Sequence, residues 1–127
     1  MTISAFTNPV SGIWPLGQIT VATPGTPVGL NTNVGPQTTP SGTNPTGTVR
    51  QLNFTTGANT GLIYVLRKVS GLSVTKANTN FIVAVIGPNM AVPLPDGLSN
   101  CDNINPDDYL IDADTAANKV VVCGIVG

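Results

Sequence analysis

The run Tyr109-Leu-Ile-Asp-Ala-Asp-Thr-Ala-Ala-Asn-Lys-Val-Val-Val-Cys-Gly-Ile-Val126 decides the fold. Two stretches rich in β-branched and other apolar residues, Tyr109 to Asp112 and Lys119 to Val126, flank small and polar residues from Ala113 to Asn118. That is the composition of strand, turn and strand. Working outward, Arg50 to Thr55, Leu62 to Arg67 and Phe81 to Ile86 have the same character, with turn clusters at Thr56 to Thr60, Lys76 to Asn80, Gly87 to Asn89 and Pro95 to Asn100. Gly71 to Thr75 and Ala91 to Leu94 add two shorter strands. Nearer the start, Gln18 to Thr23 and Thr26 to Leu30 are separated by Pro24-Gly25, a pair that favours a tight turn. No helix of more than a turn or two is expected.

Eight or nine short strands between regular turn signals predict an all-β fold, a single-domain antiparallel β-sandwich of jelly-roll-like type. Its expected extent is residues 17–127. Residues 1–16, with Phe6, Ile13 and Trp14 set among Asn, Pro and Gly without a period of 2 or 3.6, read as an extended N-terminal arm. Residues 32–48 are almost entirely Thr, Pro, Gly and Asn and read as a long surface loop.

Composition narrows the function classes. In these 127 residues only 9% are charged, all six acids are aspartate, and the net charge is −1. So few charges protect a lone monomer poorly against association, so part of the surface is expected to be covered by a partner. Five scattered cations do not make the basic patch of a nucleic-acid binder. No apolar run approaches the roughly 20 residues of a membrane-spanning helix. Met1 to Ser11 lacks the positive charge and apolar core of a secretory signal, and the chain is expected to stay where it is made. Cys101 and Cys123 read as free, partly buried thiols.

Strands with one solvated face alternate apolar and polar residues. Leu62 to Leu66, Phe81 to Ile86 and Val120 to Val126 do not. A sandwich covers one face of each sheet, so a loop, an arm or another subunit must cover the other, and another subunit is the favoured reading.

The catalytic inventory is thin. With no histidine, the commonest general acid/base and metal ligand is missing, and every Ser-His and Cys-His pairing with it. Asp107, Asp108, Asp112 and Asp114 leave a carboxylate pair as the one enzymatic possibility, but 5% aromatic residues offer little to line a glycan cleft. Asn100 to Asp108 is rich in oxygen ligands yet lacks EF-hand spacing. The plainer reading has Asn105 capping one helical turn that opens with Pro106. Gly57 to Gly61 and Pro24 to Pro27 read as turns rather than phosphate cradles. No catalytic residue, cofactor or metal is expected.

Thr23-Pro-Gly-Thr-Pro-Val28, Ala58-Asn-Thr-Gly-Leu-Ile-Tyr-Val65, Pro93-Leu-Pro-Asp-Gly97, Tyr109-Leu-Ile-Asp-Ala-Asp114 and Lys119-Val-Val-Val122 resemble phrases of small virion proteins of tailed bacteriophages, the capsid decoration or cement proteins. The resemblance touches about half the chain. It implies a non-enzymatic β-sandwich on the outer capsid surface of the virion, clamping neighbouring capsomers and assembled in the host bacterial cytoplasm. Its partners would be the major capsid protein and copies of itself, as dimer or trimer, without nucleic acid, membrane or cofactor. The arm, the loop and the exposed face of one sheet are the expected contact surfaces, with Phe6, Ile13, Trp14 and Leu16 of the first and Val34 and Pro40 of the second as candidate contact residues. The alternatives are a carbohydrate- or receptor-binding β-module of a fibre or adhesin, and a head-tail or tail component.

Overall fold

A computed structural model describes residues 12–30, 49–94 and 104–126 of the chain. Within the described residues, eight strands form two four-stranded antiparallel sheets: β1 (Gly12–Val21), β2 (Val28–Gly29), β3 (Val49–Thr56), β4 (Ile63–Arg67), β5 (Ile82–Ile86), β6 (Ala91–Leu94), β7 (Tyr109–Ala113) and β8 (Asn118–Val126). Sheet order is β1-β8-β3-β6 in the first sheet and β2-β7-β4-β5 in the second. The pairing runs β1 with β8, β2 with β7, β3 with β6 and β4 with β5. The chain is thus a long hairpin, closed at β4 and β5, that has rolled up. Ladders between β3 and β8 and between β4 and β7 join its turns laterally. This is the wrapped order of a jelly roll, and the all-β sandwich expected from the sequence is the fold.

Alternation along each strand sets the inner layer. Leu16, Ile19 and Val21 of β1, Leu52 and Phe54 of β3, and Val120 and Val122 of β8 meet Ile63 and Val65 of β4, Ile86 of β5 and Ile111 and Ala113 of β7 in one buried core. Each Val, Leu, Ile and Phe side chain among them contributes about 1.5–3 kcal/mol by leaving water. At the Thr23–Thr26 turn, the Thr26 N–H donates to the Thr23 carbonyl over 3.0 Å, and Gly25 sits at φ 85° behind Pro24. That is the type II geometry that the Pro-Gly pair predicts.

Several expectations are corrected. The supposed arm is strand from Gly12 onward, and Leu16 is fully buried in the core. The reason is a bulge between Pro15 and Gly17, with Gly17 at φ 99°. One extra residue inverts the alternation and hides the period of 2. The second early strand shrinks to Val28–Gly29. Gly71 to Thr75 forms no strand; it begins with a turn, Gly71 lying at φ 78°, and continues without ladder pairing. Phe6, Val34, Pro40 and the whole of the 32–48 loop lie outside the described residues.

Candidate functional site

The outer face of the second sheet is organised by one carboxylate. Strand alternation sends Asp112 away from the core, yet it is fully buried. Its Oδ1 accepts from the N–H of Gly25 at 2.8 Å and from that of Ala113 at 2.8 Å, and its Oδ2 accepts from the N–H of Lys76 at 3.0 Å. The segment that follows β4 is thereby tied down over the sheet. Leu66 and Val74 are buried outside the main core, at 0% and 2% exposure. The outward-facing Leu66 of β4 is therefore buried within the chain itself and needs no second subunit, whereas Leu62, Val83, Val85 and Val121 of the two-sided strands stay exposed. Between this loop and the β1–β2 turn lies a pocket of about 550 Å³, lined by Gly25 to Pro27, Lys68 to Thr75 and Leu110.

Beside the staple, Lys76 Nζ donates to the Ala113 carbonyl at 2.9 Å and to Asp114 Oδ1 at 3.1 Å. The Tyr64 hydroxyl donates to Asp114 at 3.1 Å, and the ammonium lies 5.9 Å from the Tyr64 ring centre. The Lys76 hydrogen bond, with help from Tyr64, holds the Asp114 carboxyl below its ordinary range. Burial first, and then the Asp114 hydrogen bond and charge, push the Tyr64 hydroxyl above its usual value. The three groups satisfy one another and the backbone. They fasten a loop.

Among the described residues, Asp107 and Asp108 lie on the turn before β7. Asp108 lies 3.6 Å from Arg67, whose guanidinium stands 5.6 Å over the Tyr109 ring. Asn105 Oδ1 accepts from the Asp107 N–H at 3.0 Å, with Pro106 opening a 3-10 turn over Pro106–Asp108. This is the capped turn that the sequence predicts. No three His, Cys, Asp or Glu side chains among the described residues gather as a metal ion requires.

The first sheet presents a different surface. On its outer face the central strand β8 shows Val121, Cys123 and Ile125, with Val121 44% exposed and Cys123 half-buried and unpaired. Val121 has Gln18 and Thr55 as its neighbours across the ladders, and Cys123 has Asn53 on the β3 side. Lys119 is the one charged residue in the outward-facing β8 series 119, 121, 123 and 125. Of the expected contact residues, Ile13 and Trp14 fall on this sheet, in register with Ile125 and Gly124, while Leu16 is turned into the core. Val121 was legible as part of a two-sided apolar strand; Asp112 and Lys76 carried no sequence signal for their joint role.

No family model, curated protein or solved structure matches this chain.

Proposed function

We propose that this chain is a non-enzymatic structural subunit of a phage particle, a decoration protein that binds the outer capsid surface and stabilises contacts between neighbouring capsomers. The outer face of the first sheet carries the reading. It is broad, since four strands contribute to it, and its centre is an aliphatic strip of Val121, Cys123 and Ile125 set among amides and hydroxyls. A nearly uncharged surface with an aliphatic centre and a polar rim is what a protein–protein interface buries. Asp112 is buried and hydrogen-bonded to backbone, and the partly exposed Asp108 and Asp114 are ion-paired, which supports a structural role for these acids in place of catalysis.

The test is binding of purified protein to undecorated phage heads, with Val121→Lys as the variant. The substitution puts a charge at the middle of the strip at a position already exposed, so the fold should survive. Head binding should weaken at least tenfold, about 1.4 kcal/mol. Unchanged head binding by a folded Val121→Lys protein would refute this face as the contact. Because β1 begins at Gly12, truncation as a test of the preceding segment has to stop at residue 11. Specific capture of a glycan by the isolated chain, with no affinity for heads, would favour the carbohydrate-binding alternative.

A further inference from the structure

Among the described residues, strand β5 is the outer strand of the second sheet and pairs only with β4. Its five residues, Ile82-Val83-Ala84-Val85-Ile86, contain no charge, proline or glycine. Natural edge strands are usually guarded by such residues against pairing with another chain. The β4–β5 ladder has a shift between Val65 and Leu66 that leaves Val83 as the extra residue, but exposure still alternates along β5. Val83 and Val85 are 43% and 46% exposed. Leu62 and Met90, 37% and 47% exposed, continue the patch. A Cβ placed on Gly87 would lie 3.2 Å from Met90 Sδ and 4.0 Å from Leu62 Cδ2, so the two side chains converge at the end of the strand.

The sequence of this edge reads the same in both directions. An antiparallel pair brings residue i opposite residue j and residue j opposite residue i, the condition of a two-fold interface. Centred on Ala84, the pairing sets Ile82 against Ile86 of a second copy and Val83 against Val85, with no unlike or unequal contact anywhere along it.

We propose that β5 is a dimerisation edge, on which a second copy of this chain adds its own β5 antiparallel about Ala84 to make one continuous eight-stranded sheet. Main-chain hydrogen bonds along the edge supply affinity, as in other strand additions. The four valines of the two copies form cross-strand β-branched pairs on the exposed side. The outer faces of both first sheets stay free. The proposal is independent of what those faces bind.

Light scattering behind a sizing column on the full chain tests it, at concentrations into the hundreds of micromolar. The wild type should have twice the chain mass of 13.0 kDa. Val83→Lys together with Val85→Lys puts like charges opposite each other across the two-fold and should halve that mass. Val83→Lys together with Val85→Asp faces each introduced ammonium with a carboxylate of the partner and should restore the dimer. Both substituted positions, Val83 and Val85, are solvent-exposed, and circular dichroism verifies the fold of each variant. A wild-type mass other than two chains, or a dimer indifferent to the two-lysine variant, would overturn the proposal. A two-lysine monomer that the lysine–aspartate pair fails to restore overturns the register about Ala84.

Discussion

The carboxylate of Asp112 holds the backbone N–H of Gly25 at 2.8 Å, joining positions 87 residues apart in the chain. Its other oxygen holds the N–H of Lys76. One buried acid thereby fixes the β1–β2 turn and the β4–β5 connection to the same face of the second sheet.

Asp112→Ala leaves the N–H groups of Gly25, Ala113 and Lys76 without their acceptor. Hydrogen bonds to a charged group are worth about 1.5–3 kcal/mol each, so the loss should reach about 3–5 kcal/mol in urea unfolding. Asp112→Asn should cost less, because one oxygen remains for Gly25 and Ala113 while the amide meets the Lys76 N–H donor to donor. Equal midpoints for wild type and Asp112→Ala would rule out the staple.

Glycine 61 is fixed by close approach. A Cβ there would stand 2.8 Å from Thr115 Oγ1 and 3.1 Å from the Cβ of Asp114, while one on Gly57 would meet nothing within 4 Å. Gly61→Ala should therefore destabilise by about 1–3 kcal/mol. Gly57→Ala is the control and should be neutral or slightly stabilising, by up to about 1 kcal/mol. A Gly61→Ala protein melting with the Gly57→Ala protein would contradict the packing of the 57–61 turn on the β7–β8 connection.

Asp114 gives the fold a small acid sensitivity. Its pKa is lowered in the folded state, so its contribution is present above the unfolded carboxylate value, near 3.8, and disappears as pH falls through the folded one. Since the Asp114 side chain is 39% exposed, the contribution should stay under about 1 kcal/mol. Tyr64 acts at the other end: its raised pKa adds stability that is lost as pH rises past 10 through the folded value. The difference in urea midpoint between wild type and Asp114→Asn should vanish by about pH 2. A difference that persists there would have another origin.

Strands β3 to β8 could be read along the chain to within a residue or two. Each is a short β-branched or aromatic run bounded by turn residues, and local chemistry suffices for that. Strand β1 could not, because Pro15 and the Gly17 bulge erase its period and only the ladder to β8 makes it a strand. Gly71 to Thr75 reads as a short strand in the sequence, yet the segment forms none, since Asp112 ties down the connection that carries it.

By itself, the sequence determined the fold class, the Pro24-Gly25 turn, the Asn105 cap and the scarcity of catalytic groups, all properties of residue type and near neighbours. It also contained the palindrome of residues 82–86. Tertiary structure alone decided that this palindrome lies on a sheet edge, that Asp112 faces two loops, and that Leu66 is covered while Val83, Val85 and Val121 are not. Those outcomes depend on which strands become neighbours when the long hairpin rolls up, and that choice is made by the whole core at once.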